Sequence, residues 1–219
     1  MIDRGTAERQ AFKRRPPPIV VQCATGLWMD VVLRPAIRTF EALGCAERVL
    51  ENLGARWERQ LAKKNPFQHF IPGKQDVFVM TYAKSGTNWM MQIAHQLVYH
   101  GKGEYDHLHN IVPWPDTEAM PGFMRRYAIP LKEATHWTRS PEQKRVIKTH
   151  FNWELLPYSE EARYIAVIRD PKDIFVSNYF FIRDGVLGRA MPTVDTWFNL
   201  YLSDRFLVGA SWAVNTALP

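Results

Sequence analysis

Apolar and polar positions alternate along this chain with two different periods. Three short apolar runs have strand character: Val77-Phe78-Val79, the Val146-Ile147 pair within Arg145–His150, and Tyr164–Ile168 within Arg163–Arg169. Helix-spaced apolar residues follow the first run at Met90, Ile93, Ala94, Leu97 and Val98, predicting a helix to about Tyr99. They follow the third at Ile174, Phe175 and Phe181, where Asp170 is placed to cap and Pro171 to open the helix. A further helix is expected from Thr193 to Leu207. Residues 27–62 read as helical with breaks near Pro35 and Gly44, and Leu50, Leu53, Trp57 and Leu61 recur as one packing face. Asn65–Gly73 is a turn-rich connector, and residues 101–141, rich in Gly, Pro, His and Trp, read as irregular structure. Strands alternating with helices predict an α/β fold, three-layered, with a central parallel β-sheet flanked by helices.

In such sheets ligands gather at the carboxyl ends of the strands. Three charged clusters fall there: Lys84-Ser85, Lys148-Thr149-His150 and Arg169-Asp170. The first is the most informative. Thr81-Tyr82-Ala83-Lys84-Ser85-Gly86-Thr87-Asn88-Trp89 joins a strand to the first turn of a helix. The first amides of a helix lack partners within it, and the helix dipole turns its positive end toward them. Lys84 adds a charge, Ser85, Thr87 and Asn88 add donors, and Gly86 permits close backbone approach. The expected ligand is a phosphate or sulfate. A Walker A loop is excluded because Lys84 precedes the loop's glycine, which argues against a nucleotide kinase. An ordinary polar turn capped by Thr87 is the plain alternative.

Composition narrows the picture. The 219 residues, 46% hydrophobic, suit a compact fold with a real core. Net charge is +6, from 28 Lys and Arg against 22 Asp and Glu. Without zinc-finger spacing or an Arg-rich helix, an anionic small molecule explains the surplus better than nucleic acid. Two cysteines, Cys23 and Cys45, make no disulfide framework, which places the chain in a reducing, cytoplasmic setting. Ile19–Leu33 is apolar but shorter than the ~20 residues of a membrane span and carries Gln22 and Asp30. It is expected to be a core or interfacial helix, without firm membrane association. Residues 1–18, basic and then Pro-rich, are expected to be disordered. No ligand cluster for a metal stands out among the seven histidines.

Three motifs in order now carry a resemblance to the cytosolic-type sulfotransferase family. The Thr81–Trp89 loop resembles the family's 5′-phosphosulfate loop, and Arg145–His150 with Leu155-Leu156-Pro157 its catalytic strand. Arg163–Phe181, with Arg169-Asp170-Pro171-Lys172-Asp173 and Ser177-Asn178-Tyr179, resembles its 3′-phosphate segment. Gly209-Ala210-Ser211-Trp212 is a weaker match. The resemblance covers roughly residues 66–215 and implies the P-loop-NTPase-like sulfotransferase fold. Its organisation would be a basic, Pro-rich N-terminus at 1–18, a helical segment at 19–73 and a sulfotransferase domain at 74–219. That domain lacks the family's closing Arg-Lys-Gly…Gly-x-x-Gly-x-Trp segment.

The resemblance implies transfer of a sulfuryl group from 3′-phosphoadenosine 5′-phosphosulfate (PAPS) to a hydroxyl or amine, releasing 3′,5′-ADP (PAP). His150 would be the general base, Lys84 would stabilise the leaving phosphate, and Lys148 would sit near the sulfuryl oxygens. These two cations would stand where phosphoryl-transfer enzymes use magnesium. Ser85, Gly86, Thr87, Asn88 and Trp89 would bind the 5′ end of the cofactor, and Arg169 and Ser177 its 3′-phosphate. Plainer roles stand beside each. His150 could cap a strand end, Trp89 anchor a helix in the core, Arg169 pair with Asp170 or Asp173, and Ser177 pack inside a helix. Ala83 and Asn88 depart from the family's usual proline and hydroxyl residue. Trp114, Phe123, Tyr127 and Trp137 suggest an apolar, aromatic acceptor pocket for a small molecule, with a homodimer left open. The alternative is a catalytically inactive, truncated paralogue that binds a nucleotide or a lipophilic ligand.

Overall fold

The structure is a computed structural model and describes residues 19–119, 129–133 and 136–203. The readings made for residues 1–18, Phe123, Tyr127 and Gly209–Trp212 lie outside those residues. Among the described residues, two compact units divide the chain: residues 60–168 form the first, and residues 19–59 and 169–203 form the second.

The first unit is built on three strands, β1 (Asp76–Thr81), β2 (Arg145–Thr149) and β3 (Arg163–Val167). Their order is β2-β1-β3, and both pairings are parallel. Val79 pairs in register with Lys148 on one side and Ile165 on the other. Successive side chains of the central strand point to opposite faces, and both faces are covered. The Val79 face packs with Met91, Ala94, Val98, Ile111, Val112 and Val146 into one core cluster. On the opposite face, the buried Phe78 ring stacks on Tyr164 at 5.1 Å and meets Phe67 and Phe70 edge-on. The connector after residue 64 therefore supplies aromatic rings to the sheet.

At the amino ends of the strands, Arg145 pairs with the buried Asp76 at 2.7 Å and lies over the rings of Phe70 and Trp137. This corrects the reading of Trp137 as a pocket wall. It serves the opposite end of the sheet from the strand ends that carry Lys148 and His150, because residues 136–139 turn back just before β2 begins.

In the second unit, α1 (Ile19–Trp28) continues through a wider turn, Met29–Leu33, into α2 (Arg34–Ala42), with Pro35 in the first turn. Gly44, at φ 66°, ends α2, and α3 (Ala46–Lys63) follows. Two expectations need correction here. Leu27, Trp28, Val31 and Val32 are exposed, so the apolar run before Pro35 is not a core helix. Only part of the Leu50–Leu61 face is buried, for Leu53 is exposed and Leu61 is not. Apolar spacing shows which residues share a helix face but not what covers that face.

The first unit holds α4 (Thr87–Val98) and the one-turn α5 (Asp116–Ala119), and the later helices of the second are α6 (Pro171–Ile182) and α7 (Val194–Leu202). Asp170 caps α6 by accepting from the Lys172 N–H at 2.8 Å, as its position before Pro171 predicts. Thr193 caps α7, and the Trp197 indole donates to Asn178 at 3.3 Å across a shared core.

Candidate functional site

Parallel pairing brings the carboxyl ends of β1 and β2 side by side, with Met80 opposite Thr149. The chain leaving β1 turns tightly, its Ser85 N–H donating to the Tyr82 carbonyl at 3.1 Å. Two residues of this turn are left-handed, Lys84 at φ 73° and Gly86 at φ 103°. Such a backbone suits Gly86, while for Lys84, which carries a Cβ, it is a sparsely populated backbone conformation. Helix α4 (Thr87–Val98) starts at Gly86, and no side chain caps it. Its first amides therefore open onto the loop. Thr87 is buried and its hydroxyl lies 2.5 Å from that of Thr81. Ser85 is also buried, and its hydroxyl has no hydrogen-bond partner among the described residues.

Asn88 and Trp89 lie on the open side of α4. Trp89 is 79% exposed, so it is not the core anchor of the helix; Met91, Ala94 and Val98 hold that role. Asn88, Trp89, Gln92, Ile93, Tyr105 and His109 are among the residues lining an open cavity of about 620 Å³.

The end of β2 carries two titratable groups, Lys148 and His150. The Nδ1 of His150 lies 2.7 Å from the Thr81 carbonyl oxygen. A carbonyl only accepts, so Nδ1 carries the hydrogen and the Nε2 of the neutral ring keeps its lone pair. Burial first, and then the neighbouring Lys148 charge, lowers the His150 pKa to about 3. The ring is thus neutral at physiological pH. Lys148 is 5% exposed, and its ammonium sits 3.4 Å from the centroid of the Trp114 ring. Burial lowers its pKa to about 7; the Asp116 carboxylate opposes that fall and the Lys84 charge adds to it. Trp114 also meets the His150 ring edge-on at 5.4 Å. The structure thus gathers Lys84, Lys148 and His150 into one electrostatic neighbourhood.

One residue of this neighbourhood escaped the sequence. Asp116 opens the single-turn helix α5 (Asp116–Ala119) and is fully buried. It accepts from the Thr149 hydroxyl at 2.8 Å and from the His150 backbone N–H at 2.6 Å. Burial raises its pKa, against the pull of those two donors. Its sequence signal is one acidic residue after Trp114-Pro115, which carries no period.

Arg169 and Ser177 belong to the second unit. Arg169 pairs with Asp173 at 3.3 Å on the surface of α6, one of the two plainer partners expected for it, and Ser177 is half-buried on the same helix. Among the described residues, no group of three or more His, Cys, Asp or Glu side chains is placed to hold a metal. No described helix is long and apolar enough to cross a membrane.

A parallel sheet whose carboxyl edge carries an uncapped helix start beside a buried Lys and a neutral His defines the class: an α/β protein with these groups gathered at its strand ends. The model of the family described as Sulfotransferase domain matches residues 74–214, and the chain belongs to that family. Sulfotransferase 2A1 of Macaca fascicularis is 31% identical over 151 residues, covering 65% of this chain and 47% of that protein. Sulfotransferase 1C2 of Homo sapiens is 27% identical over 157 residues, covering 66% and 48%. The chain therefore spans about half the length of the curated relatives it matches. Among solved structures, retinol dehydratase in complex with androsterone and the inactive cofactor PAP shares the fold. Its TM-score is 0.55 at 18% identity, over 70% of this chain and 52% of that one.

Proposed function

We propose that this chain carries the donor loop and proton-accepting strand of a PAPS-dependent sulfotransferase, acting in the cytoplasm on a small apolar or aromatic acceptor. The observation that carries this reading is the fixed tautomer of His150. Its Nδ1–H is committed to the Thr81 carbonyl, so Nε2 is the ring atom left to accept a proton. Burial keeps the ring neutral at physiological pH, so the Nε2 lone pair is present there, and the same burial weakens it as a base. In the proposed reaction the acceptor hydroxyl gives its proton to Nε2 while its oxygen bonds to sulfur. The bond from sulfur to the bridging phosphate oxygen breaks, and the electron pair leaves with the 5′-phosphate of PAP. Lys84 and the α4 amides face that departing charge, and Lys148 faces the sulfuryl oxygens. The buried hydroxyl of Ser85 has hydrogen-bonding capacity to give to the 5′ end, and the exposed Trp89 ring a face for adenine. Arg169 and Ser177 are the proposed ligands of the 3′-phosphate, Arg169 through its planar fork. The family model on residues 74–214 and PAP in the retinol dehydratase structure support the reading.

Binding of 3′,5′-ADP followed by thermal shift tests it. A ligand at 100 times its dissociation constant adds ~2.7 kcal/mol of stability, and an unmoved transition at saturation overturns the proposal. Sulfation of a phenol and alcohol panel by the wild-type chain, lost in His150→Ala with 3′,5′-ADP binding retained, is the expected second result. Nucleotide binding without product across the panel would instead identify a non-catalytic binding module.

A further inference from the structure

Asp116 has a fully buried carboxylate that no feature of the proposed reaction uses. It is not a spare polar group. One oxygen takes the Thr149 hydroxyl at 2.8 Å, and the other takes the His150 backbone N–H at 2.6 Å. Thr149 is engaged a second time, its hydroxyl oxygen accepting from the Phe151 N–H at 3.0 Å. The carboxylate thus clamps the last residues of β2 at the point where the chain must turn Lys148 and His150 toward the Lys84 loop. The Asp116 charge also opposes, without cancelling, the fall that burial and Lys84 impose on the Lys148 pKa. An isolated carboxylate this deeply buried would itself be costly, and the neighbouring ammonium and two donors are what compensate it.

Resting on the sulfotransferase reading, we propose that Asp116 is the positioning residue of the site. It locks the Thr149-His150 strand end in place and adds a negative charge to the surroundings of Lys148. It touches neither substrate, so its effect runs through the two residues that do. Separate faults follow from removing its charge and from removing one of its bonds. Asp116→Asn is nearly isosteric but takes away the charge and puts an N–H₂ where one donor now binds. Thr149→Val removes both hydrogen bonds of the Thr149 hydroxyl, only one of them to Asp116, and leaves the charge.

The test follows the ¹³Cε signal of Lys148 against pH in the 219-residue chain, together with turnover of PAPS on an acceptor found with wild type. In Asp116→Asn the Lys148 titration midpoint falls by about one pH unit or more, a tenfold loss of protonation. Turnover falls about tenfold or more, while the dissociation constant for 3′,5′-ADP, which lacks the sulfuryl group, stays within about twofold. In Thr149→Val the midpoint stays in place and turnover falls about threefold or more, through misplacement of His150 alone. That variant keeps the proposal falsifiable if Asp116→Asn does not fold, because wild-type turnover in it overturns the clamp. An Asp116→Asn protein with an unmoved Lys148 midpoint, or with turnover within about twofold of wild type, overturns the proposal. If the wild-type chain transfers no sulfuryl group, the sulfotransferase reading falls while the Lys148 midpoint still decides the role of Asp116.

Discussion

Acid should unfold this protein through His95, by an amount that can be worked out in advance. His95 lies on α4, 3% exposed, its ring 4.6 Å from that of Tyr99 and 5.3 Å from that of Tyr105. Its Nε2 has no hydrogen-bond partner among the described residues. A Cβ on Gly103 would fall 2.5 Å from that nitrogen, so the glycine is what leaves room for the ring. Burial pushes the His95 pKa down to about 4, whereas the unfolded chain has the ordinary value of ~6.5. Between those values the unfolded state binds a proton that the folded state refuses. Stability is therefore full above about pH 7 and falls as pH drops through ~6.5, levelling off below about 4. Integrated from pH 7.5 to pH 5.0, the loss from this one group is about 2 kcal/mol.

His95→Leu replaces the ring by an apolar side chain of similar bulk that does not titrate. Every other titrating group is common to both proteins and cancels in the difference. Urea unfolding at pH 7.5 and pH 5.0 measures it. The wild type should lose about 2 kcal/mol more than the variant on acidification, a shift of about 1 M in midpoint for a slope near 2 kcal/mol/M. Equal losses in the two proteins would refute the argument, because they would mean that the buried ring accepts its proton as readily as an exposed one.

Other outcomes follow from the same geometry. Phe78→Ala empties the centre of the ring cluster beneath the sheet and should lower unfolding free energy by about 3–5 kcal/mol in a denaturant titration; a loss below 1.5 would mean that the rings collapse into the gap. Trp89→Ala should leave stability within about 0.5 kcal/mol, since the ring is exposed, yet weaken 3′,5′-ADP binding by about 1–3 kcal/mol in calorimetry; unchanged affinity would remove Trp89 from the adenine site. Lys148, with a pKa near 7, is charged on the acid side of neutrality, so PAPS affinity should rise as pH falls from 8.5 to 6.0. Lys148→Arg, always charged, should flatten that rise, and an equally steep dependence in both would assign it to another group.

Much of this site was legible in one dimension. Asp76–Thr81 and Thr87–Val98 could be placed from their periods because a strand repeats every two residues and a helix every 3.6, and only local side chains are needed to show it. The turn at Lys84 and Gly86 was legible for a similar reason, since a strand, a short polar loop and a helix start are each read from neighbouring residues. Asp116, by contrast, stands 34 residues from His150 in a stretch without a period, and only the fold closes that gap to a hydrogen bond. Trp114 and Trp137 looked alike as aromatic residues of one irregular segment. The first lies against Lys148 and the second against Arg145 at the far end of the strands.

The sequence by itself determined the strands and helices of the site, the strand-to-helix loop at 81–89 and the order of the three motifs, because each depends on neighbours within a few residues. Tertiary structure alone decided which nitrogen of His150 bears the hydrogen, why Lys148 has a pKa near neutrality, and which carboxylate bonds the end of β2. Those properties depend on burial and on groups distant in the chain, and a charge or a proton responds to what surrounds it in space.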